Sequence, residues 1–485
     1  VGMSVLPVLL CALVVGAQAV IPQDEVTSLP GWDGPLKSKH YSGYLPVGNL
    51  SGDPGFIHYW LIESENDPVN DPVVYWTNGG PGGSGISTGL LTEMGQLQLN
   101  DDSFTGGDSL KPFYNPYSWS RVANMVFVSQ PKGVGFSYCT NASTAADCVN
   151  DDLTSALDAY DFFIQFFEHY PEYKKNDFYL TAESYGGIYI PLFMDQIDTR
   201  GGIPNFKGAA IGDGCWGTSV GLCAFNTGKS KEIQVEFFHG HSMYDQPLYA
   251  HIKSVCGAFS DEDVQKPDCV AALQAMNSKI GTFDIYNVYD TCGNDTSMSS
   301  LHLDDYNKLL SARTVVLEDS NIHQSKPHPQ LSAALNDYKC GGDRASSAWL
   351  SQPDVADALH VKANTPGMNY NWGPASVSGD LRPLYAKLLA KYRMMIYSGD
   401  TDGCVPEWGT EQWVRELGLE VKKDWRPWLA AVKAGGGLQR AGYAIDYNVN
   451  NFTFVTVQGA GHMIPTYHPD FALAMITKFL RNEEF

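Results

Sequence analysis

The stretch that most constrains this chain is Phe178-Tyr-Leu-Thr-Ala-Glu-Ser-Tyr-Gly-Gly-Ile-Tyr-Ile-Pro191. An apolar run suited to a buried strand enters a glycine-rich turn, with Ser184 at its tip and Gly186 and Gly187 just behind. A tight strand-to-helix turn of this kind lifts a serine hydroxyl out of a sheet, and small residues two positions to either side let the backbone bend. Ala182 and Gly186 stand at those two positions. Small-x-Ser-x-Gly also occurs in ordinary turns, so Ser184 reads either as a nucleophile or as a turn serine until the rest of the chain is considered.

The chain has 485 residues, enough for about two or three domain-sized units. Hydrophobic residues at 44% and aromatics at 12% describe a globular protein. The formal charge of −22 gives a surface that repels nucleic acid and anionic membranes, and that loses much of its self-repulsion in mild acid. Residues 5–15 are apolar but too short to span a bilayer, and Ala17-Gln-Ala19 follows them, which predicts a secretory leader over residues 1–19. Of the 10 cysteines, Cys11 falls in that leader, so an odd number remains and at least one thiol lacks an intrachain partner. Sequons at Asn49, Asn141, Asn294 and Asn451 agree with secretory passage and predict glycosylation there.

In chain order, residues 41–45 and 57–62 read as a β-meander, and Val73-Val-Tyr-Trp-Thr77 as a buried strand. That strand ends in Asn78-Gly-Gly-Pro-Gly-Gly-Ser-Gly85, a loop able either to turn N–H groups toward an oxyanion or simply to flex. Residues 124–129 form another buried strand, followed by the turn Gln130-Pro-Lys-Gly133. A helix is predicted from Asp152 to His169, with an apolar face at Leu153, Leu157, Tyr160, Phe163 and Phe167. Strand, helix and strand in succession call for a parallel α/β sheet, which residues 206–212 extend. Between Cys215 and Cys340 cysteines become dense and helices replace strands, so residues 215–340 read as an insertion lying over the sheet. It divides the mature chain into a first core part, 20–214, and a second, 341–485, whose strands lie at 391–398 and 452–457 and whose closing helix spans 469–479.

A serine nucleophile needs a base, and the base needs an acid to orient it. In doubly wound hydrolases both come after the serine, each on a loop after a later strand. The strand ending at Ser398 delivers Gly399-Asp-Thr-Asp-Gly403, and the one ending at Val457 delivers Gln458-Gly-Ala-Gly-His462. Of the 12 histidines, only His462 lies after a late buried strand in a glycine-rich turn; the others read as surface, helix or cap residues. Asp402 is the preferred acid, with Asp400, nearer the strand, as a structural residue.

Over nearly the whole mature chain the sequence resembles the serine carboxypeptidases of the α/β-hydrolase fold. The resemblance rests on Asn78-Gly-Gly-Pro-Gly82, Asn115-Pro-Tyr-Ser-Trp119, Gly133-Val-Gly-Phe-Ser-Tyr138 and Glu183-Ser-Tyr-Gly-Gly187. Asp354-Val-Ala-Asp-Ala-Leu-His360, Gly399-Asp-Thr-Asp402 and Gly461-His-Met-Ile-Pro465 complete it. It implies a doubly wound, mostly parallel sheet with a largely helical cap, and Ser184, His462 and Asp402 as nucleophile, base and orienting acid. It also implies an oxyanion hole from the N–H groups of Gly80 and Tyr185. The substrate's C-terminal carboxylate would be held by Asn78 and Glu183, with Glu93, which alone would read as a helix-surface glutamate, as the partner carboxyl. Two close carboxyls share a proton, and that neutral donor receives a carboxylate that the ionised pair would repel.

The chain departs from the family pattern at Gly82-Gly-Ser84, where the family has Gly-Cys-Ser, so one familiar disulfide cannot form and its other half, Cys340, must pair elsewhere or stay a thiol. Cys404 is a second candidate for the odd thiol. Ser129 and Lys132 also replace the usual residues before Gly133, and Lys132 reads as an exposed turn lysine in preference to a residue altering the cleft. The expected activity is hydrolysis of C-terminal peptide bonds at acidic pH, in an extracellular, vacuolar or lysosome-like compartment. No cofactor or metal is called for, and the oligomeric state stays open, a homodimer included. The rivals are an acyltransferase of the same family, disfavoured by Glu183 where transferase relatives commonly carry aspartate, and an inactive binding protein, disfavoured by the complete Ser184, Asp402 and His462 set.

Overall fold

The computed structural model describes residues 22–104, 110–142, 144, 147–217, 227–290, 343–361, 371–372, 380–431 and 437–485. The expected leader, the sequon at Asn294, Cys340 and much of the expected insertion lie outside them. A 12-stranded sheet forms the centre. Its strands are β1 (Glu25–Val26), β2 (His40–Val47), β3 (Gly55–Ile62), β4 (Val73–Thr77), β5 (Asn124–Val128) and β6 (Tyr138–Cys139). They continue with β7 (Phe178–Glu183), β8 (Phe206–Gly212), β9 (Arg393–Gly399), β10 (Val421–Ala431), β11 (Leu438–Tyr447) and β12 (Thr453–Val457). The spatial order is β1-β2-β3-β5-β4-β7-β8-β9-β12-β11-β10, with β6 pairing β3 beside it.

From β5 through β4, β7, β8 and β9 to β12 every pairing is parallel. The meander of β1 to β3 flanks this block on one side and the β10–β11 hairpin on the other, both antiparallel. Strands β4, β5, β7 and β12 are buried at every position, as their continuously apolar sequences require when helices cover both faces. One face packs Phe162, Phe163, Phe166, Leu180 and Ile396; the other packs Trp60, Trp76, Trp119, Met395 and Ile476. This is the expected α/β-hydrolase architecture. Among the described residues no helix is long and apolar enough to cross a membrane.

Helix α1 (Asp152–His169) starts at a reciprocal cap between Asp151 and Thr154. Its buried face differs from the predicted one. Leu153 is 52% exposed, whereas Ala156, Ala159, Phe162, Phe163, Phe166 and Phe167 are buried. The aromatic residues set the phase because they remove more area from water than one leucine, and the two alanines let the axis approach the sheet. Helix α2 (Gly186–Arg200) leaves the elbow directly. The described residues 227–290 hold α3 (Gly228–Gly240), α4 (Gln246–Cys256) and α5 (Pro267–Ile280), with disulfide Cys256–Cys269 joining the last two. A second bridge joins Cys139 to Cys148, Cys215 is also disulfide-bonded, and Cys404 remains a buried thiol.

The fold corrects the sequence reading of two histidines and a lysine. His40 and His58 are not surface or cap residues: both are fully buried in the meander. His40 faces Gln96 at 3.0 Å and His58 faces Ser42 at 2.9 Å. Burial lowers their pKa values to about 4 and about 3, so both rings stay neutral in mild acid. Lys132 is not an exposed turn lysine. Its side chain is 1% exposed, and its ammonium lies 3.0 Å from Asp158, itself 1% exposed, and 3.1 Å from Asp53. The turn folds back over the start of α1, and a cation removed from water there requires its carboxylates.

Lys132→Ala therefore leaves Asp158 as an uncompensated buried charge, a loss of about 3–5 kcal/mol. The expected outcome is a clear fall in Tm by calorimetry, largely recovered when Asp158→Leu is added. An unchanged Tm in the single variant would show that the pair is not needed to hold the turn.

Candidate active site

The elbow is built as the Phe178–Pro191 stretch predicts. Strand β7 ends at Glu183, Ser184 adopts a left-handed φ of 59°, and α2 begins two residues later. Holding a non-glycine residue there costs about 1–3 kcal/mol, which the surroundings must offset. They do so with three main-chain bonds: Ser184 N–H to Gly212 O at 3.0 Å, Gly187 N–H to Ser184 O at 3.0 Å, and Cys215 N–H to Ser184 O at 2.8 Å. The 78–85 loop packs tightly on this turn. A Cβ on Gly79 would lie 2.4 Å from Tyr185 N and 2.6 Å from Ser184 Cβ. The loop bearing Gly80 and the turn bearing Tyr185, which leave two different strands, thereby meet beside the same serine.

The two aspartates after β9 part company. Asp402 Oδ2 lies 2.7 Å from His462 Nδ1, and Asp402 Oδ1 accepts the Cys404 N–H at 2.7 Å. Both side chains are buried, Asp402 fully. Asp400 instead accepts the Gly459 N–H at 2.6 Å and braces the turn that leads to His462. Asp402, Cys404 and His462 bring ligand-type atoms within 4.8 Å of one another, but the Asp402–His462 bond already occupies two of those atoms.

Sequence reasoning missed the neighbour that holds the histidine's main chain. Tyr286 O accepts the His462 N–H at 2.7 Å, and the tyrosine ring lies 5.0 Å from the imidazole. Two residues on, Val288 N–H bonds Thr401 O at 3.0 Å. The segment after α5 thus pins the loops of both Asp402 and His462. No motif announces it, because a main-chain carbonyl is supplied by any residue type. Asp213 was missed too: fully buried, it accepts Ser398 Oγ–H and Gly399 N–H, both at 2.9 Å.

The third group centres on Asn78. Its side-chain carbonyl accepts Trp76 Nε1–H at 2.8 Å and Gly89 N–H at 3.1 Å, which fixes the amide's orientation. Its NH2 then donates to Glu93 at 2.8 Å and to Glu183 at 2.7 Å. Glu93 is not on a helix surface: it is fully buried near the end of a wide π-helix, Gly85–Met94. Burial pushes its carboxyl up to about 7, with the Asn78 bond acting the other way. Glu183 is raised as well, by burial and then by the charge of Glu93. The Asn115–Trp119 string braces this turn: Asn115 donates to Gly95 O at 3.0 Å and Ser118 to Met94 O at 3.1 Å.

A model of the family described as serine carboxypeptidase matches residues 30–482. The chain belongs to the serine carboxypeptidase family. It is 33% identical to serine carboxypeptidase-like 20 of Arabidopsis thaliana over 488 residues, 95% of this chain and 93% of that one. It is 32% identical to the lysosomal protective protein of Mus musculus over 509 residues, 100% of both. Among solved structures it superposes on KEX1(DELTA)P, a prohormone-processing carboxypeptidase from Saccharomyces cerevisiae, with TM-score 0.68 and 20% identity, covering 95% of this chain and 96% of that one. The structural likeness bears out the fold. Family membership makes the chain a hydrolase of the peptidase class.

The geometry separates the two aspartates experimentally. Asp402→Asn is expected to lower turnover by about four orders of magnitude, because the wrong histidine tautomer is then favoured. Asp400→Asn, which affects a turn, should cost far less. Steady-state kinetics on one blocked dipeptide checks this, and an Asp400 variant that proves the more impaired would reverse the assignment.

Proposed function

We propose that this protein is a serine carboxypeptidase that releases C-terminal residues from peptides at acidic pH through an acyl-enzyme on Ser184. The observation that carries the reading is the single Asn78 amide bonded at once to two buried carboxyls, Glu93 and Glu183, the latter adjoining Ser184 in the chain. A peptide's terminal carboxylate received there lies one residue from the bond to be cut. Ser184 attacks that bond's carbonyl while His462, held by Asp402, takes the hydroxyl proton and then gives it to the departing amine. The N–H groups of Gly80 and Tyr185 stabilise the oxyanion, and water releases the acyl group by the same steps in reverse.

The pair also supplies a reason for acid operation. A carboxyl whose pKa is raised by burial keeps its proton through mildly acidic pH and loses it as pH rises past that raised value. While one proton is shared, the pair donates to a substrate carboxylate; once it leaves, like charges repel. Residues 215–340 serve as a cap, a reading supported by Tyr286 reaching back to His462. Asn49, Asn141 and Asn451 are exposed, as acceptors of N-linked glycans must be. These, the disulfides and the acidic surface support a secretory-route enzyme working outside the cell or in a lysosome-like or vacuolar compartment.

Ser184→Ala should abolish labelling by a phosphonylating serine reagent and lower turnover by several orders of magnitude with the fold kept. Labelling that persists on another serine would sink the nucleophile assignment. For recognition, KM for a blocked dipeptide should rise with pH while KM for its C-terminal amide stays level. Glu183→Gln, a permanent neutral donor, should flatten that rise. Identical wild-type profiles for acid and amide would falsify the carboxylate-reading role of the pair.

A further inference from the structure

Glu183, Gly212 and Tyr397 are Cα partners in a row across β7, β8 and β9. Paired residues of parallel strands point to the same face, so Glu183 and Tyr397 are separated only by a residue without a side chain. Tyr397 uses that opening. A Cβ on Gly212 would lie 2.3 Å from its ring and 2.8 Å from its hydroxyl oxygen, so the far end of the phenol occupies the space over β8, beside the strand that carries Glu183. It is 1% exposed, and no protein group among the described residues hydrogen-bonds to its hydroxyl.

Leaving a buried hydroxyl without a partner is costly, and a phenylalanine would fill the same volume without that cost. The groups around it give the hydroxyl a use. Glu183 from β7, Asp213 after β8 and Glu93 from the π-helix are the charges that act on it, in that order of strength. Beyond them, His462 acts on Glu93, and Glu183 acts on Tyr286. Surrounded by carboxyls and held well above the usual phenol range by burial, Tyr397 stays a neutral donor throughout the working pH range.

We propose that Tyr397 is a positioning residue for recognition of the substrate carboxylate: its hydroxyl, laid over Gly212 beside the strand of Glu183, is a neutral donor that sets how far toward neutral pH the Glu183 and Glu93 carboxyls keep their shared proton. This rests on the carboxylate-reading role proposed above. A donor dipole favours the ionised pair, so it draws the loss of the shared proton to lower pH. Removing it leaves the proton in place to higher pH. The Tyr397 hydroxyl makes no hydrogen bond to Asp402 or His462, so its removal leaves the bond between those two in place.

The test is Tyr397→Phe in the full chain, with KM against pH measured for a blocked dipeptide and for its C-terminal amide, wild type beside variant. The midpoint of the KM rise for the free acid should move up by about half a unit to one unit, with no matching movement for the amide. The variant's Tm should be equal or higher, since a partnerless buried hydroxyl is lost. Infrared difference titration gives a readout independent of turnover: the protonated-carboxyl band that Glu183→Gln removes should persist to higher pH in Tyr397→Phe. If wild type separates acid from amide but the variant's curves and band superimpose on wild type, Tyr397 has no such role and the pair's role stands. If wild type itself fails to separate acid from amide, the pair's role falls and the role of Tyr397 falls with it.

Discussion

The site depends on the register of the parallel block. Ala182 pairs with Thr77, Glu183 with Gly212, Gly212 with Tyr397 and Gly399 with Val457, so β4, β7 and β8 end within one residue of each other and β9 and β12 end together two residues further on. The loops leaving these ends must then emerge along one edge: the Asn78 loop after β4, Ser184 after β7, Asp402 after β9 and His462 after β12. Parallel sheets present ligand sites at this carboxyl edge for that reason. A slip of one residue would turn each strand's side chains to the opposite face and separate Glu183 from Glu93.

Strand ends on one edge bring loops near one another but do not hold them, and much of the chain's recognisable sequence is spent on holding them. Asn115 and Ser118 secure the turn that carries Glu93, and Thr466 reaches the same turn through Thr92 O at 3.1 Å. Ser137 accepts the His58 N–H at 2.8 Å, tying the 133–138 string to β3. Ser42 on β2 donates to Leu359 O at 2.9 Å, and its own carbonyl faces His360 Nδ1 at 3.0 Å, which fastens the 354–360 string. These residues touch none of the reacting groups, yet each fixes a segment on which the site's frame rests.

Burial of acids is the other recurrent device. Glu93 is raised to about 7, Asp284 to about 7 and Glu407 to about 8, in each case chiefly by desolvation. A carboxyl whose folded pKa is raised favours the folded state at acidic pH. That contribution is lost as pH climbs from the ordinary carboxyl range through the raised value, here toward about 7 to 8. The same burial that prepares the Glu93–Glu183 pair to share a proton thus biases the whole fold toward acid surroundings, in keeping with a surface of net charge −22.

The sequence by itself determined what depends on neighbours in the chain. Continuous apolar runs mark β4, β5, β7, β8, β9 and β12, and the glycine-rich turns after β7, β9 and β12 mark Ser184, the two aspartates and His462, because strand burial and tight turns are local requirements. Asn78 and Glu93 were legible only through the family's strings; nothing local distinguishes Glu93 from a surface glutamate. The tertiary structure decided the rest. Which face of α1 is buried was settled by the sheet it meets, and Lys132, His40 and His58 lie inside because distant segments close over them. The β10–β11 hairpin was missed because its edge strand leaves Val421, Trp425 and Leu429 exposed and so lacks a buried strand's pattern. Tyr286 reaches His462 by its carbonyl, and Tyr397 lies over Gly212 only because the two pair across β8 and β9. Contacts of that kind join residues far apart in the chain, and no periodicity in the sequence records them.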